Sequence, residues 1–235
     1  MRSIIILPTY NEKENIKAIV REIFSLNIPD LGIIIVDDNS PDGTGRIADE
    51  LAAGDRRIRV LHRQQKEGLG RAYVAGFKKA LEDPEAENIF EMDADFSHQP
   101  KYLPDFLGAI NSADIVLGSR YIKGGGVQNW NFFRRFISTS ANFVIRFILG
   151  VKIRDLTGGF KCFSRRALLS LDFDKVESSG YNFQIEVNYK AYKEGLKIKE
   201  IPIIFVERQA GNSKFSTAIM LESFWKVLQL KFRKI

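Results

Sequence analysis

Cysteine is almost absent from the sequence, since the 235 residues contain only Cys162. A single thiol cannot form a disulfide within the chain, which fits a protein of a reducing compartment. We expect Cys162 to be a small, buried apolar side chain. Histidine is nearly as scarce, with only His62 and His98. We expect His98 to lie in a turn or behind a site rather than to act as a base.

The sequence also lacks an apolar run of the roughly 18–20 residues that a transmembrane helix needs. The longest candidate, residues 136–149, is interrupted by five polar or charged residues: Ser138, Thr139, Ser140, Asn142 and Arg146. No signal peptide precedes the first strand-like stretch at residues 3–7. We therefore expect a cytoplasmic protein that is not integral to a membrane but can associate peripherally with its cytoplasmic face.

Two nucleotide-binding motifs are missing as well. No Gly-x-Gly-x-x-Gly follows the first predicted strand, which argues against an ordinary dinucleotide-binding fold. No Gly-x-x-x-x-Gly-Lys-Ser/Thr occurs, which argues against a P-loop enzyme. The pair Gly68 and Gly70 is a weak match to a phosphate cradle, and the geometry of a helix start explains it equally well.

The composition indicates one large domain, or a domain with an appendage. Apolar residues make up 45% of the chain, which is enough for a substantial core. The formal net charge is +6. That charge fits three kinds of partner: nucleic acid, an anionic substrate or an acidic membrane surface.

Apolar strand-like runs alternate with helical patterns in the first half of the chain. We predict strands at 3–7, 33–36, 58–61, 88–92 and 114–117, and helices at 13–26, 44–53, 70–81 and 100–111. Asn11 or Thr9 is expected to cap the first helix. The alternation predicts an α/β fold with a Rossmann-like, mostly parallel central sheet and helices on both faces.

Polar residues collect where these strands end, which is where ligands bind in such sheets. Asp93 and Asp95 follow the fourth strand, and their spacing places them on one side of an extended segment. Two carboxylates this close either surround a Mg²⁺ or Mn²⁺ ion that serves a phosphorylated ligand, or form a solvated acidic turn. Because Thr9, Asp38 and Arg120 lie at other strand ends, a site is favoured over a chance turn.

Motifs along nearly the whole chain resemble those of inverting glycosyltransferases of family 2, which have the GT-A fold. Three of them lie in the first half: ILPTYNE at 6–12, VDDNSPDGT at 36–44 and MDADFSHQP at 92–100. Later motifs narrow the resemblance to the dolichol (polyprenol) phosphate mannose synthases: GSRYIKGG at 118–125, Trp130 with Arg134 and Arg135, TGGFK at 157–161, and ER at 207–208 with GNSK at 211–214. Because the motifs keep their order, the resemblance is specific.

The resemblance implies transfer of mannose from GDP-mannose to a dolichyl or polyprenyl phosphate. The donor-binding residues that it implies are Pro8, Tyr10, Glu12, Val36, Asp38, Asp93, Ala94, Asp95, Arg120, Arg208 and Lys214. The acceptor phosphate would meet Arg120, Arg134 and Ser138, and Mg²⁺ or Mn²⁺ would meet Asp93, Asp95 and Ser97. Catalysis would rest on Asp95, Arg120 and Arg134. Some relatives have Gln in place of Ser97, so we expect Asp95 to be the leading metal ligand.

The implied chemistry needs little help from a general base. The second pKa of a phosphate monoester is about 6, so much of the acceptor is already a dianion at neutral pH. We therefore predict a single displacement with inversion and without a covalent enzyme intermediate. Arg134 and Arg135 either contact a phosphate or the lipid surface, or form a solvated helix face.

The second half of the chain is where a lipid would bind. Phe residues flanked by Arg and Lys at 131–152 predict a helix that either lies in a membrane interface or packs as core, and we expect partial exposure. Further predictions are a strand at 160–163, helices at 165–171 and 181–193, and a strand at 198–206 that Pro202 places at a sheet edge. The tail from Phe215 predicts a basic amphipathic helix, suited to an anionic membrane or a hydrophobic partner subunit.

The expected organisation is a catalytic domain at 1–212 followed by an amphipathic helix at 213–235. A donor half covers about 1–120 and an acceptor half about 121–212. We hypothesise that residues 209–213, between Arg208 and Lys214, form a lid over the donor.

The sequence is compatible with more than one partner and with more than one function. A membrane-anchoring subunit and a homo-oligomer are both compatible with it, and no nucleic acid is expected. One alternative function is a UDP-glucose-dependent transferase that uses the same lipid. Another is a non-catalytic protein that binds membranes or nucleic acid, which leaves the acidic strand ends unexplained.

Overall fold

The computed structural model describes residues 1–176, 178, 180–207 and 217–232, without the side chains of Tyr181 and residues 217–223. Strands and helices alternate through the first half, as the apolar periodicity predicts. The elements are β1 (Arg2–Thr9), α1 (Ile16–Ser25), β2 (Leu31–Asp37), α2 (Thr44–Gly54), β3 (Ile58–His62), α3 (Leu69–Leu81), β4 (Ala86–Glu91), α4 (Leu103–Ile110), β5 (Ile115–Ser119), β6 (Gly126–Gln128), α5 (Phe132–Leu149), β7 (Lys161–Ser164), α6 (Arg165–Ser170), α7 (Tyr181–Lys193), β8 (Ile198–Pro202), β9 (Ile204–Val206) and α8 (Thr217–Phe232).

Seven strands form the central sheet, in the order β3-β2-β1-β4-β7-β5-β8. Strand β1 pairs in parallel with β2 and β4, β2 with β3, and β5 with β8. Strand β7 runs antiparallel to both of its neighbours, β4 and β5. The predicted α/β fold with a mostly parallel sheet is confirmed. Because β7 is reversed, its first residues lie at the same edge as the carboxyl ends of β4 and β5.

Helices cover both faces of the sheet, which is why the central strands are continuous apolar runs. Ile5 and Leu7 of β1 pack with α1, α2 and α4 on one face. Ile4 and Ile6 pack with α3, α6 and α7 on the other. Gly76 allows α3 to approach β1 closely, because a Cβ atom there would lie 2.3 Å from Cγ2 of Ile6.

The C-terminal helices pack together beside β5. The apolar cluster between them includes Ile145 and Leu149 of α5, Ile185 and Tyr189 of α7, and Val227 and Leu230 of α8. Nζ of Lys231 donates a hydrogen bond to the carbonyl oxygen of Leu149 at 3.3 Å, at the end of α5. The last turns of α8 are therefore packed on the rest of the chain.

The start of α1 differs from the prediction. The helix begins at Ile16 with Asn15 as its N-cap residue, so the expected caps Asn11 and Thr9 are wrong. Asn11 has a φ of +60°, which is left-handed rather than cap geometry. The hydroxyl of Thr9 donates to Oδ1 of Asp37 at 3.3 Å and so serves the β1–β2 pair instead.

A small second sheet was not predicted. Strand β6 pairs in parallel with β9, joining Gly126 to Ile204 and Gln128 to Val206. The three residues of β6 form no apolar run that a sequence pattern could reveal. The strand predicted at 198–206 is confirmed in two pieces, β8 and β9, and β8 lies at the edge of the main sheet as Pro202 suggested.

Candidate active site

The polar strand ends meet in one cleft of about 1690 Å³ at the carboxyl edge of the sheet. Of the residues predicted for a site, those that line the cleft are Pro8, Tyr10, Glu12, Asp38, Asp93, Ala94, Asp95, Ser97, Arg120, Arg134 and Ser138. Val36 is different, because its side chain is buried in the core beneath α3. Arg208, Lys214 and the hypothetical lid at 209–213 lie outside the described residues.

Asp38 anchors the loop that leads into α3. Its carboxylate forms an ion pair with Arg63 and accepts a hydrogen bond from the backbone N–H of Gly68 at 3.0 Å. Across the same wall of the cleft, Nζ of Lys66 lies 3.4 Å from the centroid of the Tyr10 ring. The β1–β2 side of the cleft therefore offers an aromatic face, a carboxylate and a cation to a ligand.

Asp93 is fixed from two directions. The hydroxyl of Tyr73 donates to its Oδ1 at 2.7 Å, and its own backbone N–H donates to Nδ1 of His98 at 3.0 Å. Burial, together with the nearby carboxylate of Asp93, raises the pKa of Tyr73 well above its ordinary value. Tyr73 therefore stays protonated and remains a donor to Asp93.

Asp95 and Ser97 are joined by a tight turn. The backbone N–H of Ser97 donates to Oδ1 of Asp95 at 3.0 Å, and Phe96 between them has a φ of +63°. This left-handed geometry is uncommon for an aromatic residue and recurs at functional sites. Asp95 is largely buried but lines the cleft, as Asp93 does.

The acidic pair does not make a closed metal site by itself. Within the described part of the chain, no group of three or more His, Cys, Asp or Glu side chains is arranged to hold a metal ion. A Mg²⁺ site of the nucleotide type needs only one or two carboxylates, because substrate phosphates and waters complete the shell. Asp93 and Asp95 fit this incomplete, oxygen-only donor set.

His98 is a buried, neutral group behind the acidic pair. Its ring stacks on Phe160 with centroids 5.0 Å apart, and burial lowers its pKa. Because Nδ1 already accepts from the backbone of Asp93, this nitrogen supports the turn rather than a substrate. His62 lies on β3 and pairs with Asp49 at 2.8 Å.

Arg120 is held by a buried carboxylate. Its Nε and Nη2 donate to the two oxygens of Asp155 at 2.8 and 2.7 Å, and Nη2 also donates to Oγ1 of Thr157 at 2.7 Å. Burial alone would raise the pKa of Asp155, but the charge and hydrogen bonds of Arg120 leave that pKa below its ordinary value. Asp155 was missed from the sequence, although it lies two residues before the TGGFK motif.

Helix α5 is tied to the Arg120 loop by two side chains. Nδ2 of Asn142 donates to Oγ1 of Thr157 at 3.1 Å, and Oδ1 accepts from the backbone N–H of Leu156 at 3.0 Å. One turn earlier, the hydroxyls of Ser138 and Tyr121 are 2.7 Å apart. Ser138 and Arg120 are therefore held in a fixed relation at the cleft.

Arg134 lies in the first turn of α5 with its guanidinium over Trp130, 4.4 Å from the ring centroid. It forms an ion pair with Glu207, just after β9. Arg120 lies over the same indole at 5.9 Å. Two cations are thus gathered around one aromatic ring at the α5 side of the cleft.

A buried charged cluster lies behind the acidic pair and was also missed. Lys161 of β7 donates to Oε2 of Glu91 at 3.1 Å, and Gln184 of α7 bonds to both side chains. Burial raises the pKa of Glu91 and lowers that of Lys161. Lys161 ends the TGGFK motif and Glu91 directly precedes the MDADFSHQP motif, but only the strand pairing reveals that they face each other.

The outer face of α5 is apolar and exposed, as expected. Its exposed side chains are Phe132, Phe133, Phe136, Phe143, Val144 and Phe147, and α8 adds Phe224, Trp225 and Phe232. Phe132 and Phe147 are 84% and 82% exposed. Across the residues whose structure is described, no helix is long and apolar enough to span a bilayer.

Comparisons with known proteins identify relatives along the full chain. The family model described as glycosyl transferase family 2 matches residues 4–171. The polyprenol monophosphomannose synthase of Mycolicibacterium smegmatis is 44% identical over 234 residues, which are 99% of this chain and 88% of the relative. The undecaprenyl-phosphate mannosyltransferase of Micrococcus luteus is 43% identical over 223 residues, which are 95% of this chain and 91% of the relative.

Solved structures share the fold at low identity. Glucosyl-3-phosphoglycerate synthase from Mycobacterium tuberculosis superposes with a TM-score of 0.70 at 19% identity, covering 100% of this chain and 81% of that chain. A mannosyltransferase from Pyrobaculum calidifontis, solved with GDP-Man and Mn²⁺, gives 0.65 at 17% identity, covering 97% and 64%. The fold is of the GT-A type, and the family model with the curated relatives places the chain in glycosyltransferase family 2.

Proposed function

We propose that the protein transfers mannose from GDP-mannose to the phosphate of a polyprenyl phosphate, giving polyprenyl phosphate mannose and GDP. The observation that carries the proposal is a shared cleft, in which the acidic end of β4 and the cationic side of α5 face the same space. Joining a nucleotide sugar to a lipid phosphate requires both reactants in one oriented complex. The names of the two curated relatives support mannose as the sugar and a polyprenyl phosphate as the acceptor.

The nucleotide is assigned to the β1–β2 side of the cleft. Tyr10 offers a face for stacking, while Pro8, Glu12 and Asp38 form the walls around it. Ala94, small and buried between the two aspartates, leaves room for the diphosphate beside Asp93. Val36 supports this wall from the core. Arg208 and Lys214 are assigned to the donor from the family resemblance alone.

A divalent cation, Mg²⁺ or Mn²⁺, is assigned to Asp95 and Asp93, with Ser97 as a further oxygen ligand. The incomplete carboxylate set described above fits an ion whose other ligands come from a diphosphate. When bound, such an ion neutralises charge on the leaving GDP. Solved neighbours of the same fold that contain Mn²⁺ with a nucleotide sugar support this assignment.

The acceptor phosphate is assigned to Arg120, Arg134 and Ser138. The two guanidinium groups orient the phosphate dianion and offset its charge, and the hydroxyl of Ser138 adds a hydrogen bond. A phosphate oxygen attacks the anomeric carbon while GDP leaves from the opposite face. No proton has to be removed from the nucleophile, which agrees with the use of Nδ1 of His98 as an acceptor for the backbone N–H of Asp93.

The lipid chain is assigned to the exposed aromatic face of α5, because Phe136 and Val144 of this face line the same cleft as Ser138. We assign the protein a peripheral position on a membrane, because the polyprenyl tail stays in the bilayer. Its placement on the cytoplasmic face stays a prediction from the sequence. A membrane-anchoring subunit or a second copy stays a prediction from the sequence.

A donor screen tests the proposal. The full chain is incubated with Mn²⁺, a polyprenyl phosphate and radiolabelled GDP-mannose, UDP-glucose or UDP-GlcNAc. We expect lipid-linked product from GDP-mannose alone, with a β-linkage by NMR because the donor is α-linked. Transfer from UDP-glucose instead would favour the alternative glucosyltransferase, and an α-linked product would contradict the single displacement.

A binding experiment separates an enzyme site from a mere lipid-binding surface. Asp95→Asn removes the charge but keeps the shape of the side chain. We expect Mn²⁺-dependent binding of GDP, measured by calorimetry, to be lost in this variant. Asp49→Asn, on α2 and paired with His62, is the matched control and should bind GDP as the unchanged chain does.

A further inference from the structure

The two arginines of the acceptor side have partners of different kinds. Asp155, which pairs with Arg120, is fully buried, and the pair has bidentate geometry. The side chains of Arg134 and Glu207 are 24% and 30% exposed. The first pair is therefore a permanent part of the fold, whereas the second can be opened at small cost because it is near solvent.

Both members of the second pair are held on ordered backbone. Oδ1 of Asn131 caps α5 by accepting from the N–H of Arg134 at 2.8 Å. The N–H of Glu207 donates to the carbonyl oxygen of Gln128 on β6 at 3.3 Å. Trp130, beneath the guanidinium, is itself packed edge-on against Phe205 of β9. The carboxylate of Glu207 thus meets Arg134 at a defined place in the cleft.

A carboxylate and a phosphate compete for the same donors of a guanidinium group. Both match its planar fork, and a phosphate dianion carries more charge than a carboxylate. Glu207 and Ser138 line the cleft on the same side as Arg134. A phosphate that bonds to Ser138 and Arg134 therefore takes N–H donors that Glu207 occupies.

We propose that Glu207 is a positioning residue that holds Arg134 over Trp130 until the acceptor phosphate displaces it. The inference rests on the proposed function, because the displacing group is the phosphate of the polyprenyl acceptor. Glu207 then both prepares the guanidinium and competes with the acceptor. Removing its charge should tighten phosphate binding, provided that Arg134 is present.

The test is a titration of farnesyl phosphate without donor, in the full chain carrying Trp225→Phe. The chain has two tryptophans, so the remaining fluorescence reports on Trp130. We expect Glu207→Gln to bind farnesyl phosphate about three- to fivefold more tightly, the scale of a partly exposed ion pair. Glu50→Gln makes the same charge change at the exposed contacts with Lys17 and Arg46, and should leave the affinity unchanged.

A second pair of variants tests whether the gain in affinity depends on Arg134. In an Arg134→Ala background, adding Glu207→Gln should give no gain in affinity. The inference is overturned if Glu207→Gln binds farnesyl phosphate no more tightly than the unchanged chain, or if it gains equally without Arg134. It is also overturned if no variant binds farnesyl phosphate. Mannosyl transfer is assayed separately, so tightened binding without any transfer from GDP-mannose would reject the proposed function while the exchange at Arg134 stands.

Discussion

At the residue scale, the cleft depends on charges that are buried and paired. Asp155 is the clearest case, because its two carboxylate oxygens accept from three donors of Arg120, the backbone N–H, Nε and Nη2. The hydroxyl of Thr157 also donates to Oδ1 of Asp155, at 3.3 Å. Asp155→Asn would leave the guanidinium largely buried without its counter-charge. We expect a loss of about 3 kcal/mol in the free energy of unfolding, measured with urea. Asp174→Asn, at the exposed pair with Lys78, should cost almost nothing.

The pH dependence of the same pair has a definite sign. The pKa of Asp155 in the folded state is lower than the ordinary value, so its stabilisation is fully present above the unfolded pKa of about 3.9 and declines as pH falls toward the folded pKa. The difference in unfolding free energy between the unchanged chain and Asp155→Asn should therefore be constant near neutrality and shrink below about pH 4. A difference that grows on acidification would contradict this account.

At the element scale, the β4–β7 pairing puts Glu91 opposite Lys161 in a fully buried position. Lys161→Met leaves the carboxylate and Gln184 without their cation, and we expect a loss of about 3–5 kcal/mol in the free energy of unfolding. Adding Glu91→Gln should recover a large part of that loss, because no uncompensated charge remains. Urea unfolding of both single variants and the double variant measures the coupling. Additive losses would show that the two side chains do not act as a pair.

The sequence predicted the first five strands of the sheet because each contains a short local apolar run. That run is largely buried in β1, β2, β4 and β5, and mostly half-buried in β3 at the edge of the sheet. It could not place β7, because whether residues 161–164 pair with β4 or β5, and in which direction, depends on contacts between distant parts of the chain. Strand β6 was missed for a different reason: it has only three residues, two half-buried and one exposed, and so short a segment has no periodicity.

The same limit applies to the candidate site. Asp38, Asp93, Asp95 and Arg120 were found because carboxyl ends of parallel strands converge at one edge. Asp155 was missed, and Glu207 was named within a motif but given no role. Both act through the arginines that they meet, which are 35 and 73 residues away in the chain. Sequence motifs contain the residues that face a ligand. The partners that support these residues can be identified only when the packing of strands and loops is known.

At the scale of the whole molecule, the exposed aromatic side chains lie on α5 and the end of α8, while the net charge is positive. We expect the protein to bind vesicles containing anionic phospholipid through this face. Phe132→Ser with Phe147→Ser should weaken binding in a sedimentation assay by about tenfold or more, since each Phe contributes on the order of 1 kcal/mol when partly inserted. Stability should change by less than about 0.5 kcal/mol per substitution, because both side chains are exposed.

Leu169→Ser is the matched control for this experiment. Leu169 is also an exposed apolar residue, but it lies on α6. This helix follows the last residue of β7, which pairs with the start of β4 and is therefore far from the cleft. Its replacement should leave vesicle binding unchanged. Equal weakening by the control would mean that general surface hydrophobicity, rather than the α5 face, drives the association.

Helix α8 calls for substitutions rather than truncation. Deleting residues 226–235 would weaken a membrane-facing helix, but it would also remove Val227 and Leu230 from the cluster with α5 and α7. Trp225→Ser with Phe232→Ser changes only exposed side chains, so we expect weaker vesicle binding with an unchanged urea midpoint. The truncated chain should lose vesicle binding and also unfold at a lower urea concentration. Burial of each of the two apolar side chains contributes roughly 1.5–3 kcal/mol to the free energy of unfolding. If the double substitution leaves vesicle binding intact, the exposed side of α8 serves something other than the membrane.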